Sequence, residues 1–237
     1  YWYAAEPFAV ADPERALAWG LQAGESIPLL RDFMLRRIGS SDAKASLALL
    51  VSGMSKAYDT KLQLTFLKAI RAALVGQRKV EAPADWPAAF ARLNQSSDPI
   101  VKLEATALGV TFGDQAAMKV LRDVVQKKAA PVEQRRQAIA ALLAANDPQF
   151  AATLQKLVSD PDCCADALRG LAQYEHPDTP QVILAAYAKL TPDQKRSALS
   201  TLCSRSPYAL AMLKAIGEKQ IAGTDLTADL VRQLQFL

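Results

Sequence analysis

The chain has little of what catalysis, metal binding and membrane insertion draw on. Its 237 residues include one histidine, three cysteines and ten glycines. No run approaches the roughly 18 consecutive apolar residues that span a bilayer, so no membrane insertion is expected. No Cys-x-x-Cys-His occurs, which excludes covalent c-type haem attachment within these residues. No G-x-G-x-x-G string occurs either, so a phosphate-cradling loop is absent. Alternating strand segments and Asn-Gly or Asp-Gly hairpin turns are missing too. Aromatic residues make up only 7%, and the formal net charge is +4, from 28 basic and 24 acidic side chains. An imbalance that small does not point to nucleic acid without a clustered patch.

The scarce reactive residues do not assemble into a site. Cys163 and Cys164 are adjacent and Cys203 stands apart, so at least one thiol lacks an internal partner. They read as small core residues. His176 sits in Tyr174-Glu175-His176-Pro177, a turn, and cannot complete a zinc site with two side-by-side cysteines in another turn. No serine or cysteine lies near it at a nucleophile–base spacing. Asp and Ser before helices are explained by capping and the helix dipole. No catalytic residue, metal or cofactor is expected.

What the chain does have is helical periodicity. Leu62, Phe66, Leu67, Ile70 and Leu74 fall on one stripe, as do Met118, Leu121, Val124 and Val125, and Val182, Ile183, Ala186, Tyr187 and Leu190. Helices are expected near 12–23, 26–38, 42–57, 60–77 and 84–94, with residues 76–90 as an irregular joint. Beyond them the starts recur. Asp98-Pro99, Pro131, Asp160-Pro161 and Thr191-Pro192 each open a helix with Ala105, Ala138, Ala167 or Ala198 inside it. The prolines are about 30 residues apart, and a second helix follows each start. Gly223-Thr224-Asp225 opens a further round. Two helices per repeat cannot bury their apolar faces alone, so neighbours must stack. The expected fold is all-α, an α-α superhelix of stacked antiparallel helix pairs. Irregular pairs are expected over 1–95 and regular ones over 96–237, in one continuous solenoid.

Asp98-Pro99-Ile100-Val101-Lys102, with Ala105 and Leu108 following, resembles the HEAT pattern Asp-Pro-x-Val-Arg-x-x-Ala-x-x-Ala-Leu. Pro131-Val132-Glu133-Gln134-Arg135 is a looser match, and the Pro161 repeat departs by placing Cys164 at the basic position. Lys102, Arg135 and Lys195 share one offset. Two readings stand side by side. One is a basic ladder for an acidic or phosphate-bearing partner. The other, favoured because charges of both signs alternate here, is an inter-repeat salt-bridge ladder with Asp98, Asp160 and Asp162. A second basic cluster comprises Lys127, Lys128, Arg135 and Arg136.

Tyr1, Trp2, Tyr3 and Phe8 form an aromatic group expected to cap the first helix pair and dock a neighbouring domain. The opening lacks Met, and an excised section is expected. Tyr1-Trp2-Tyr3-Ala4-Ala5-Glu6-Pro7, followed by Ile27-Pro28-Leu29-Leu30-Arg31 and Arg36-Arg37-Ile38, resembles the middle section of large exported bacterial proteins typical of Planctomycetes. These proteins carry a sorbosone/glucose-dehydrogenase-like β-propeller, a HEAT-like section and a c-type cytochrome domain. The resemblance implies a periplasmic or exported, non-catalytic spacer whose partners are the flanking domains. Two other readings compete with it. One is a HEAT-like nucleic-acid module of the alkylation-repair type, and the other an enzyme using a cysteine nucleophile.

Overall fold

A computed structural model of the chain describes residues 2–40, 43–75 and 80–236. Among the described residues the chain is all-helical and has no strand. It divides into two compact units, Tyr1–Met118 and Lys119–Leu237. The start of the expected 42–57 helix and the 76–90 joint fall partly outside the described residues. Of the described residues in the expected joint, 80–85 are non-helical, while a helix already begins at Trp86.

The first unit contains α1 (Trp2–Ala11), α2 (Pro13–Ala23), α3 (Pro28–Gly39), α4 (Ala43–Lys56), α5 (Thr60–Ala73), α6 (Trp86–Leu93) and α7 (Pro99–Thr111). The division between units falls within α8 (Gln115–Gln126). Side-chain caps fix several starts. The Asp12, Asp59 and Asp98 carboxylates accept from the amides of Arg15, Leu62 and Ile100. Pro13 and Pro99 occupy first-turn positions, where no N–H is needed. α1 is an addition to the sequence expectation. It carries Pro7 internally and has no strong apolar stripe, so periodicity does not reveal it. α3 packs on α1, α2, α4 and α5; α5 also packs on α4 and α7; and α6 packs on α4 and α7. Phe66, Leu67 and Ile70 of α5 are fully buried, as their spacing requires. Trp86 packs edge-on against Phe112, with centroids 4.9 Å apart. Its indole N–H donates to Asp114 at 2.7 Å, which satisfies the one polar atom of a buried ring.

The second unit contains α9 (Val132–Ala144), α10 (Phe150–Leu157), α11 (Cys164–Leu171), α12 (Thr179–Tyr187), α13 (Pro192–Leu202), α14 (Ser206–Gly217) and α15 (Ala228–Leu234). A short 3₁₀ turn, Gly223–Asp225, stands where another round was expected. α11 packs on α9, α10 and α13; α12 packs on α10, α13 and α14; and α13 packs on α14. Within each unit, then, helices meet both the next in sequence and the next but one. The apolar interior includes Leu142, Leu154, Leu168, Leu171 and Met212. Leu121, counted as internal from its spacing, is only half-buried. α13 starts with a reciprocal capping box between Thr191 and Gln194. The Asp160-Pro161 start behaves differently. The Asp160 carboxylate accepts from the amides of Asp162 and Cys163, so a turn precedes the helix and α11 begins only at Cys164.

Candidate interaction surfaces

The expected ladder resolves into one buried pair and two residues that stand outside it. Arg135, on the first turn of α9, is only 1% exposed and cannot serve as an interaction surface. Its Nη2 meets Asp160 Oδ2 at 2.6 Å, and its Nε donates to the Val125 carbonyl at 2.8 Å. Burial alone would raise the Asp160 pKa. The Arg135 hydrogen bond and the two backbone amides outweigh it and hold the carboxyl below its ordinary value. Lys102 lies exposed, with no ion pair among the described residues. Lys195 is half-buried, with its ammonium 5.1 Å from the Tyr187 ring centroid. Asp98 caps its own helix, and Asp162 offers Arg136 its backbone carbonyl rather than its carboxylate.

A second buried pair was not anticipated. Arg122 of α8 binds Asp147, whose side chain is fully buried before α10. Both pairs join an arginine to the Asp of an Asp-Pro step 25 residues later. That spacing is the signal that could have found them. The residues 25 positions beyond Lys102 and Lys195 are Lys127 and Gln220, which give no carboxylate to bind.

Exposed arginines of the second unit are also paired. Asp166 meets both Arg169 and Arg136, Asp193 meets Arg196, and Asp229 meets Arg232. These Asp-x-x-Arg pairs recur on α11, α13 and α15, the helices that open each round. Lys127 and Lys128 are exposed, but with Arg135 buried and Arg136 neutralised the basic cluster is reduced to those two. A phosphate backbone approaching the array would meet a carboxylate beside each arginine, which opposes binding.

The aromatic start forms a different kind of surface on the first unit. Tyr1 lies outside the described residues. Tyr3 is 89% exposed, while Trp2 is half-buried and packs against Phe33 in a tilted arrangement, with centroids 5.4 Å apart. Trp2 and Phe33 wall a groove of about 350 Å³, with Ala72 and Ala73 of α5 opposite and Arg36 and Arg37 beside them. Arg37 Nε lies 3.1 Å from Glu6 of α1.

No nucleophile emerges from the thiols. Cys163, Cys164 and Cys203 are free and buried, and burial pushes each thiol above its ordinary pKa. Arg135 offsets this only in part at Cys163. A reactive cysteine needs the opposite shift. His176 Nδ1 lies 3.1 Å from Gln155 Nε2 and accepts from the Asp178 amide. The His176 amide donates to the Tyr208 hydroxyl at 2.8 Å, so this turn is fastened to α10 and α14. Among the described residues no group of three or more metal-ligating side chains occurs. Among them also, no helix is long and apolar enough to cross a membrane. No family model, curated protein or solved structure matches the chain.

Proposed function

We propose that this chain is a non-catalytic interaction scaffold, a HEAT-like solenoid acting as a spacer or docking section within a larger exported redox protein. The observation that carries this reading is the packing rule. Each unit joins a helix to its next and next-but-one neighbours, as stacked helix pairs must, while surface arginines recur in Asp-x-x-Arg pairs. Burial of all three thiols and of Arg135 supports a structural role for the residues that chemistry would otherwise draw on. The placement in an exported dehydrogenase–cytochrome protein rests on the Trp-Tyr-x-x-Glu-Pro and Pro-Leu-Leu-Arg segments alone.

The test mixes this chain with separately produced propeller-type and cytochrome c-type domains encoded with it, read by light scattering. A stoichiometric complex with either domain is expected. Monodisperse, unassociated species at about 100 μM, a concentration that would reveal any affinity stronger than about −5 kcal/mol, would overturn the docking role.

A further inference from the structure

We propose that the groove between α1, α3 and α5 receives an acidic amphipathic helix of a partner protein. The inference rests on the scaffold reading and adds the surface and the chemistry of its occupant. Three observations lead to it. First, large apolar side chains face outward on neighbouring helices: Leu29 and Phe33 on α3, Val75 just after α5, and Ile100 and Leu103 on α7. Solvated helices do not ordinarily cluster such residues on one unit. Second, α3, α5 and α7 together carry seven basic and two acidic side chains, a net +5. Both carboxylates are already occupied, Asp32 by Arg31 and Glu104 by Arg71. Arg36, Lys61 and Lys68 are left exposed without an ion pair among the described residues. The surplus charge is therefore of one sign and sits beside the apolar residues.

Third, the two properties share one register. On α3, Leu29, Phe33 and Arg36 recur at i, i+4 and i+7. On α5, Lys61, Lys68, Ala72 and Val75 follow one stripe. The groove takes in the C-terminal part of both stripes, Phe33 and Arg36 from α3 and Ala72 from α5, together with Trp2, Arg37 and Ala73. From Lys61 to Val75 the stripe is about 21 Å long, the length of roughly four helical turns. A helix laid there would place its apolar side chains against Trp2, Phe33 and Ala72, and its carboxylates within reach of Arg36 and Lys68. A concave groove walled by aromatics is a poorer match to a planar anionic bilayer, which cannot enter it. The exposed arginines of the second unit, each beside a carboxylate, offer no comparable surplus.

The probe is a 15-residue helical peptide with Leu and Phe on one face and Glu on the other, labelled and titrated with the whole chain by fluorescence anisotropy. Binding is expected, weakening as salt rises. Arg36→Glu with Lys68→Glu should weaken it at least tenfold, and Phe33→Ala several-fold, with circular dichroism unchanged. An isomeric peptide lacking the apolar face should not bind. No binding of the amphipathic peptide overturns the proposal, as does binding that Arg36→Glu and Lys68→Glu leave untouched. Binding to vesicles of 30% phosphatidylserine without binding to the peptide overturns it in favour of a lipid surface. The scaffold reading fails separately: flanking domains that bind without competition from the peptide sink this groove alone. A peptide that binds where no flanking domain does leaves the groove standing and removes the redox-protein setting.

Discussion

Replacing Asp160 by Ala strands a guanidinium that has almost no access to water. Arg135 would keep only the Val125 carbonyl, at 2.8 Å, as its partner. Breaking a buried ion pair from one side costs about 3–5 kcal/mol. The loss should fall in the upper part of that range, because the Asp162 and Cys163 amides lose their acceptor as well. Against a typical total of about 5–15 kcal/mol, a change near 4 is large. With a urea slope of about 2–3 kcal/mol/M, the midpoint should fall by about 1.3–2 M. Far-UV circular dichroism is the suitable probe, because Trp2, Trp19 and Trp86 all lie in the first unit and tryptophan fluorescence does not report on the second. Asp160→Asn keeps an oxygen for the two amides and should cost less, about 1.5–3 kcal/mol. In a double-mutant cycle with Arg135→Met, the combined loss should fall short of the sum by about 2 kcal/mol. The folded Asp160 carboxyl titrates below its unfolded value, near 3.8. Its stabilising contribution is therefore complete above that value and lost as pH falls through the folded pKa. The difference between wild type and Asp160→Ala should persist from pH 5 to 8 and shrink below about pH 4. A loss under about 1 kcal/mol at pH 7 would mean that water reaches the pair, and would refute the burial argument.

Other perturbations test the packing more locally. Leu142→Ala should cost about 2–5 kcal/mol in the same urea assay, and Leu121→Ala clearly less, since Leu142 is fully buried and Leu121 only half so; equal losses would invert the core assignment. Gly109→Ala would bring a methyl to 2.5 Å from the Ala117 methyl. Overpacking of about 1–3 kcal/mol should then exceed the gain of about 1 from better helix propensity, and a raised melting temperature would contradict that approach. The three thiols should react with iodoacetamide at least about 100-fold more slowly in the native chain than in urea, because alkylation must wait for local opening. Peptide mass spectrometry reads each site; a native rate equal to that of free cysteine at any one of them would refute its burial, and only a rate well above it would restore the nucleophile reading there.

Much of the helical architecture was legible in the sequence, because its signals are local. Asp98-Pro99 and Thr191-Pro192 start α7 and α13 where their capping chemistry requires. α1 was not legible. Pro7 removes an amide in its second turn and no apolar period marks its face, so its helicity depends on packing against α2 and α3. The charged residues were harder still. Lys102, Arg135 and Lys195 look alike by offset, yet only Arg135 has an aspartate 25 positions ahead. Whether a basic residue becomes a brace or a solvated side chain is decided by what stands 25 positions away, which a motif read one repeat at a time does not contain. The groove at Trp2 and Phe33 brings together residues from α1, α3 and α5, and no single segment announces it.

The two buried arginine–aspartate braces overlap. One runs from Arg122 to Asp147 and the other from Arg135 to Asp160, so the stretch from 135 to 147, essentially all of α9, belongs to both. This makes α9 a ruler. One extra residue between Arg135 and Asp147 would rotate the following turn by about 100° and shift both arginines out of register with their carboxylates. An insertion between 123 and 134, or between 148 and 159, would misalign only one. Composition can therefore drift around this helix far more freely than length, and natural insertions and deletions should be tolerated at the turns outside 122–160 before they are tolerated within it.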